Sequence, residues 1–162
     1  MSIPTITPPK VTEVLPAVKN QVLNVASITT LLGGEHIYVA EGDSLAVPYP
    51  ASSTLASGGI GRIVLIERDG YKNEYLDKSI NYMFNARVDF KAGSGDSPRV
   101  YIENVQEAIF ELLQWKLLTM TKAKQIYNLY RQKRSVKVLY EKEENFYYSS
   151  SVWSILLTST DN

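Results

Sequence analysis

Residues 80–90 (INYMFNARVDF) alternate without a break between two sets of side chains, and no other stretch constrains the fold so strongly. Strict alternation over this length predicts a β-strand with one face turned towards a hydrophobic core. At about 3.3 Å per residue the run would span roughly 36 Å, about twice an ordinary strand, so part of it is expected to project. The core-facing set is Ile80, Tyr82, Phe84, Ala86, Val88 and Phe90, and the other set is Asn81, Met83, Asn85, Arg87 and Asp89.

One helix is predicted before this strand and a second after it. The first carries an apolar stripe at helical spacing and ends at Gly33 and Gly34. That stripe consists of Leu15, Val18, Val22 and Val25. The second helix can be capped by Asp96 or Ser97, and Pro98 suits its first turn. Its apolar side consists of Ile102, Val105, Ala108, Ile109, Leu112 and Leu113.

Further apolar runs predict the remaining strands. Residues 35–42 (EHIYVAEG) are the first, and residues 63–66 lead into a tight hairpin at Asp69-Gly70. The stretches VKVLYEK and FYYSSSVWSILLT predict a C-terminal hairpin joined by EEN. Its last strand is apolar on both faces, so it is either central in a covered sheet or covered by another subunit. Residues 121–131 are either a short helix or a long connection.

These elements together predict an α+β fold. We expect a mostly antiparallel, mixed β-sheet with two main helices packed on one face, a long projecting strand and a hairpin. A chain of 162 residues is long enough for one core. We therefore expect a single domain over residues 11–160, preceded by an extended, Pro-rich arm at residues 1–10.

The glycines of residues 57–63 (SGGIGRI) raise the question of a phosphate-binding loop. Such a loop normally follows a strand and opens a helix, so that helix amides point at the ligand. Here the glycines follow a loop and lead into a strand, and Arg62 is followed by Ile63 instead of a hydroxyl residue. We therefore expect no nucleotide site and interpret the glycines as the end of a mobile loop.

The residue inventory gives little support to catalysis. His36 is the only histidine and there is no cysteine, which excludes a multi-histidine or cysteine-based metal site and a thiolate nucleophile. His36 precedes an apolar run, where a strand-edge residue is commoner than a catalytic base. Neither a secretory signal nor a membrane span is recognisable, so a soluble protein made in a cytoplasm is expected.

Charge is balanced overall, with 17 basic and 17 acidic residues, but it is unevenly distributed. Glu103, Glu107 and Glu111 recur every four residues along the second helix and are called the acidic stripe below. The basic segment, residues 116–137, contains no acidic residue. A solvated helix face would explain the stripe, and a nucleic-acid surface would explain the basic segment with its Tyr127 and Tyr130. The cations of the segment are Lys116, Lys122, Lys124, Arg131, Lys133, Arg134 and Lys137.

The order of elements resembles that of the tail terminator, or tail completion, proteins of long-tailed bacteriophages of the lambda type. Three stretches within residues 12–158 carry the resemblance. They are LPAVKNQVLNVASITTLLGGEHIYVAEG, then VPYP ahead of RIVLIE, and then INYMFNARVDF leading into ENVQEAIFELLQWKLL and a hairpin that ends in VWSILLT.

The resemblance implies a structural protein of the siphovirus virion that assembles in the host cytoplasm. It implies a homohexameric ring that caps the head-proximal end of the tail tube, ends tube polymerisation and forms the interface for head joining. The implied partners are further copies of the chain, the tail tube protein and a head connector or completion protein, with DNA only as cargo in the lumen. No cofactor, metal, membrane or catalysis is implied, and the free chain is expected to be a monomer or a mixture.

In such a ring, one surface of each chain meets a different surface of its neighbour. We expect the acidic stripe to meet the basic segment, with apolar contacts from residues such as Tyr71, Tyr75 and Trp153. The basic candidates are Lys122, Lys124, Arg131, Lys133 and Arg134. Two loops are expected to be mobile in the free chain and ordered on assembly, one with Ser57, Gly58, Gly59, Gly61 and Arg62, the other with Gly93, Ser94 and Gly95. The alternatives are a head-completion or connector protein of the phage neck, and a nucleic-acid-binding module.

Overall fold

The computed structural model describes residues 11–40, 47, 49–50, 52–68, 72–75, 79–125, 128–131 and 137–158. The arm predicted at residues 1–10 lies outside this part of the chain. The helices are α1 (Val14–Val18), α2 (Ala26–Leu32) and α3 (Pro98–Leu113), with a π-helical turn at Lys19–Leu23. The strands are β1 (Ile37–Ala40), β2 (Ile60–Glu67), β3 (Lys72–Tyr75), β4 (Ser79–Lys91), β5 (Lys124–Gln125), β6 (Tyr130–Arg131), β7 (Leu139–Glu141) and β8 (Phe146–Thr158).

The long alternating strand is confirmed as β4, the centre of the sheet, but it is paired along its whole length, so the expected projection of part of it is not seen. It is 13 residues long, and all six apolar residues of its predicted core face are buried. One edge pairs with β2 and β3, and the other pairs with β8 from Ser79 opposite Thr158 to Phe90 opposite Tyr147. β8 pairs on both edges, which agrees with a central position in the sheet. Its face with Trp153 is buried under the helices, while Val152 and Leu156 on the other face are half-buried.

The described strands form one mixed sheet in the order β1, β2, β4, β8, and then β5, β6 and β7 in turn along the outer edge of β8. Among the strands that the structure describes, only β1 and β2 pair in parallel. Buried residues of all the helices join the core face of β4 in one hydrophobic cluster. The predicted α+β fold, with helices on one face of a mostly antiparallel sheet, is therefore confirmed.

The predicted hairpin at Asp69-Gly70 is wrong. Residues 69–71 lie outside the described part, but β2 and β3 both run antiparallel to β4 and so point the same way. The amide of Arg68 donates to the carbonyl of Met83 at 3.0 Å, which continues the pairing of β2. The chain therefore reverses between Tyr75 and Ser79, because pairing with β4 overrides the local turn preference of the Asp-Gly pair.

Two other predictions need adjustment. The first helix is interrupted: the π-helical turn ends at Leu23, and α2 starts only after an extended residue, Val25. It ends as predicted at Gly33, whose φ of 78° is a left-handed conformation that favours glycine. Residues 121–131 are neither a helix nor a plain connection, because they contribute β5 and β6, which pair with β8.

Candidate functional site

Helix α3 presents the acidic stripe because its opposite side is fixed to the sheet. Gln106 donates from Nε2 to the carbonyl oxygens of Ala86 on β4 and Ser149 on β8, both at 3.2 Å. This fixes the rotation of the helix about its axis, and all three glutamates of the stripe are exposed. The buried apolar residues of α3 are Ile102, Val105, Ile109 and Leu113.

Tyr101 positions the first turns of α3. Its ring stacks on Phe90 with the centroids 3.8 Å apart, and its hydroxyl donates to the carbonyl of Leu31 at 2.8 Å. Gly61 on β2 leaves room for this ring, since a Cβ atom there would overlap the Tyr101 hydroxyl. Burial, followed by the nearby Asp96 charge, raises the pKa of Tyr101, so the hydroxyl stays protonated and able to donate.

Asp96 connects two loops instead of capping α3. Ser97 occupies the N-cap position without a side-chain hydrogen bond, and Pro98 lies in the first turn as predicted. The Asp96 Oδ2 atom accepts from the Ser57 hydroxyl at 2.8 Å and from the Gly93 amide at 2.7 Å. The loop before β2 and the loop before α3 are thereby joined.

The loop prediction is corrected at two positions. Gly61 and Arg62 lie within β2, because that strand pairs with β4 from Ile60 onwards. The other glycines and serines named in the prediction do lie in the two loops. The amide of Ser94 donates to the carbonyl of Ser57 at 3.0 Å, so the loops contact each other within one chain. Their ordering on assembly stays a prediction.

Arg62 belongs to a buried charge cluster on the sheet face opposite the helices. Its Nε lies 2.8 Å from Oδ2 of Asp89, and Arg87 Nε lies 2.7 Å from the other oxygen. Arg62 is 2% exposed and Asp89 is 0% exposed. Arg62 also donates to the carbonyl of Val47 and lies 4.0 Å from the ring centroid of Tyr49. Burial, then the Asp89 charge, raises the pKa of Tyr49.

Sequence reasoning missed this cluster. The signal was present in the alternation, which places Arg87 and Asp89 on the same face of β4. Arg62 faces Asp89 across the sheet, since the two residues are paired in the register of β2 and β4. The alternation does not predict that a loop near Tyr49 covers the cluster.

The chain after α3 exposes apolar side chains. Trp115 is 66% exposed, Leu117 60% and Tyr130 38%. The Trp115 amide donates to the carbonyl of Leu129 at 2.8 Å, and the Leu129 amide donates to the carbonyl of Lys116 at 3.2 Å. Tyr130 directly follows Leu129, so it belongs to the segment that runs beside Trp115 and Lys116. We call Trp115, Lys116, Leu117 and Tyr130 the Trp115 surface.

Gln21 in the π-helical turn and Glu13 at the N-cap of α1 hold the segment that carries this surface. Gln21 donates to the carbonyl of Leu117 at 2.7 Å and accepts from the amide of Thr119. Glu13 accepts hydrogen bonds from the amides of residues 121–123 and from the Thr121 hydroxyl. Slight burial acts to raise the pKa of Glu13, but the hydrogen bonds outweigh it and the pKa lies below its ordinary value.

The predicted basic residues do not form one continuous surface in the described part of the chain. Lys122 and Lys124 are exposed at the β5 edge, and Gln125 beside them donates to the carbonyl of Lys116 at 2.8 Å. Arg131 is partly buried, with its guanidinium 4.4 Å from the ring centroid of Phe110 on α3. Lys133 and Arg134 lie outside the described residues.

The predicted apolar contacts receive one correction. Trp153 is fully buried in the core, where its Nε1 donates to the Ser151 hydroxyl at 2.9 Å, so it cannot be an interface residue. It lies opposite Phe84 on the helix-covered face. Tyr71 and the side chain of Tyr75 lie outside the described part.

His36 lies where a strand-edge residue was expected. It directly precedes β1, and its Nδ1 lies 3.2 Å from the carbonyl of Gly61. Among the residues that the structure describes, no cluster of three or more acidic, histidine or cysteine residues is placed to hold a metal ion. The described helices include none long and apolar enough to cross a membrane.

Comparisons with known proteins establish the fold. No protein-family model matches the chain, and no curated protein sequence does. Among solved structures, it is similar to a chain of the virion of a native gene transfer agent particle, with a TM-score of 0.59 and 13% sequence identity. The match covers 90% of this chain and 94% of that one. At this identity the likeness shows a shared fold over almost the whole of both chains.

Proposed function

We propose that this chain is a structural protein of a phage-like virion. The observation that carries the proposal is the shared fold with a gene transfer agent virion chain, which extends over 90% of this chain. Fold alone does not determine function. The order and pattern of elements in the sequence independently resemble a family of phage tail proteins, so two separate lines of argument favour the same class of particle.

Within such a particle, we propose that the protein forms a hexameric ring on the head-proximal end of the tail tube. The ring would end tube polymerisation and offer a surface to the head connector or completion protein. The support is the resemblance to tail terminators together with exposed surfaces of opposite charge, the acidic stripe and the lysines of the β5 edge. A cyclic ring requires two different surfaces on each chain.

We propose that this role involves no catalysis and no cofactor. The support for this proposal is that the side chains best suited to catalysis already make contacts within the fold. His36 lies against a backbone carbonyl, and Asp89 is enclosed between two arginines. Both are accounted for by contacts within the fold.

Gene inactivation followed by electron microscopy of the products tests the proposal. A missing tail terminator should leave overlong tails that are not attached to filled heads. Tails of normal length beside unjoined, filled heads would instead favour a head-completion or connector protein. Normal, infectious particles would refute a structural role altogether. A wild-type copy supplied in trans should restore normal tails, which is the control for effects on neighbouring genes.

A further inference from the structure

The backbone at Trp115 is held in a conformation that a tryptophan residue does not favour by itself. Trp115 has a φ of 63°, a left-handed value that is unusual and strained for a bulky residue. Leu129, Gln21 and Gln125 fix the backbone on both sides of it through hydrogen bonds. In this strained conformation the indole ring is exposed, and an exposed indole is a typical anchor of a protein interface.

The chain segment that carries this surface is basic. Lys116 belongs to it, and Gln125 ties the β5 edge, with exposed Lys124, to the carbonyl of Lys116. Residues 112–140 contain no acidic side chain. The surface therefore fits a partner that offers an apolar contact next to carboxylates.

Such a surface exists on the chain itself, along the exposed side of α3. Val100 is 54% exposed and precedes the acidic stripe at helical spacing, so it lies on the same side of the helix. We call Val100 with the acidic stripe the α3 face. Arg99 pairs with Glu103 at 3.0 Å, and the side still carries a net negative charge. Val100 lies about 20 Å from Trp115 along the helix axis, so one copy cannot bring these two apolar side chains together, although Glu111 at the other end of the α3 face is only four residues from Trp115.

We propose that the Trp115 surface of one chain binds the α3 face of a second copy of this chain. The contact joins two different surfaces, and repetition of such a contact builds a ring when the rotation closes. The inference rests on the proposed ring-forming role and names the surfaces that meet. Trp115 and Val100 supply the apolar contact, while the lysines and glutamates set orientation and make the association salt-dependent.

Sedimentation velocity of the whole chain tests the contact, at low salt and up to about 1 mM, the weak end of specific affinities. Wild type should form dimers and larger species that decrease as salt is added. Trp115→Asn removes the indole but tolerates the left-handed φ, and should weaken association by about thirtyfold, the effect of an interface hot spot. Glu103→Lys with Glu107→Lys should do the same from the other side.

Mixing these two variants gives the decisive result. The Trp115→Asn chain keeps its α3 face and the charge-reversed chain keeps its Trp115 surface, so the mixture should form one-to-one dimers and nothing larger. Glu35→Lys with Glu143→Lys is the matched control, because both residues are exposed and the net charge changes equally. It should associate as wild type does. Circular dichroism and thermal unfolding confirm that each variant is folded.

Three outcomes would overturn the inference. They are a wild type that stays monomeric up to about 1 mM, variants that associate like wild type, and a variant mixture without dimers. Incorporation of each variant into particles separates this inference from the proposed function. Variants that fail to pair in solution yet enter particles normally would refute the contact and leave the virion role intact.

Discussion

Asp89→Asn should destabilise the protein strongly, because Asp89 is the shared partner of two arginines in a buried site. The change removes the negative charge between Arg62 and Arg87, whose Nε atoms lie 2.8 and 2.7 Å from the carboxylate. Arg62 is 2% exposed and would become a buried cation without a counter-charge. Breaking a buried pair in this way costs about 3–5 kcal/mol. For a chain of this size the loss lowers Tm by roughly 6–20 °C.

Urea unfolding at neutral pH, followed by circular dichroism, measures the free energy of unfolding of this variant. Glu103→Gln is the matched control, since it breaks an exposed pair with Arg99 and should cost less than about 0.5 kcal/mol. In an Arg62→Met background, Asp89→Asn should cost less, because the buried cation is then absent. A cost below about 1 kcal/mol for Asp89→Asn in the wild-type background would refute this account of the cluster.

Two further predictions concern the contacts that position the candidate surfaces. Glu13→Gln should lower the free energy of unfolding at neutral pH. The difference from wild type should shrink as pH falls from about 5 to about 3, because a carboxyl group with a lowered pKa in the folded state stabilises the fold only while it is ionised. Urea titrations over that range measure the gap, and a gap independent of pH would contradict the hydrogen bonding of Glu13. Gly61→Ala should cost about 1–3 kcal/mol through overlap with the Tyr101 hydroxyl. Adding Tyr101→Phe should recover part of that loss, because it removes the overlapping hydroxyl. Thermal unfolding of the single and the double variant measures this, and a double variant no more stable than Gly61→Ala would contradict the overlap.

The sequence predicted the elements whose signal is local. The alternation of residues 80–90 identified β4 because a half-buried strand must alternate, and all six core residues are buried. The two apolar faces of the last strand allowed a central position as one of two interpretations, and β8 is central. Proline at residue 98 and glycine at residue 33 marked one helix start and one helix end, since both depend on local backbone geometry.

Elements that depend on distant pairing were not predictable in this way. The Asp-Gly pair at residues 69–70 favours a turn locally, but strands on both sides of it pair with β4 and keep their direction. The segments β5 and β6 are two residues each and exist because β8 offers a free edge. Neither feature produces a periodic pattern of apolar residues from which it could have been predicted.

The same distinction between local signals and distant contacts applies to the candidate surfaces. Spacing alone placed the acidic stripe on one side of a helix, and its glutamates are exposed as that placement requires. The Trp115 surface was not foreseen, because exposure of a tryptophan depends on the left-handed φ at that residue and on its hydrogen bond to Leu129. Arg131 shares the basic segment with the exposed lysines, but its guanidinium lies over the ring of Phe110, which is 21 residues earlier in the chain.

Gold labelling of a C-terminally tagged chain in purified particles tests the central claim most directly. The particles are those of the virus or element that encodes the chain, imaged by electron microscopy with an untagged particle as control. The proposed ring at the head-proximal end of the tail tube predicts label at the junction of head and tail. Particles that lack the protein, or label confined to the capsid or the distal tip of the tail, would contradict it.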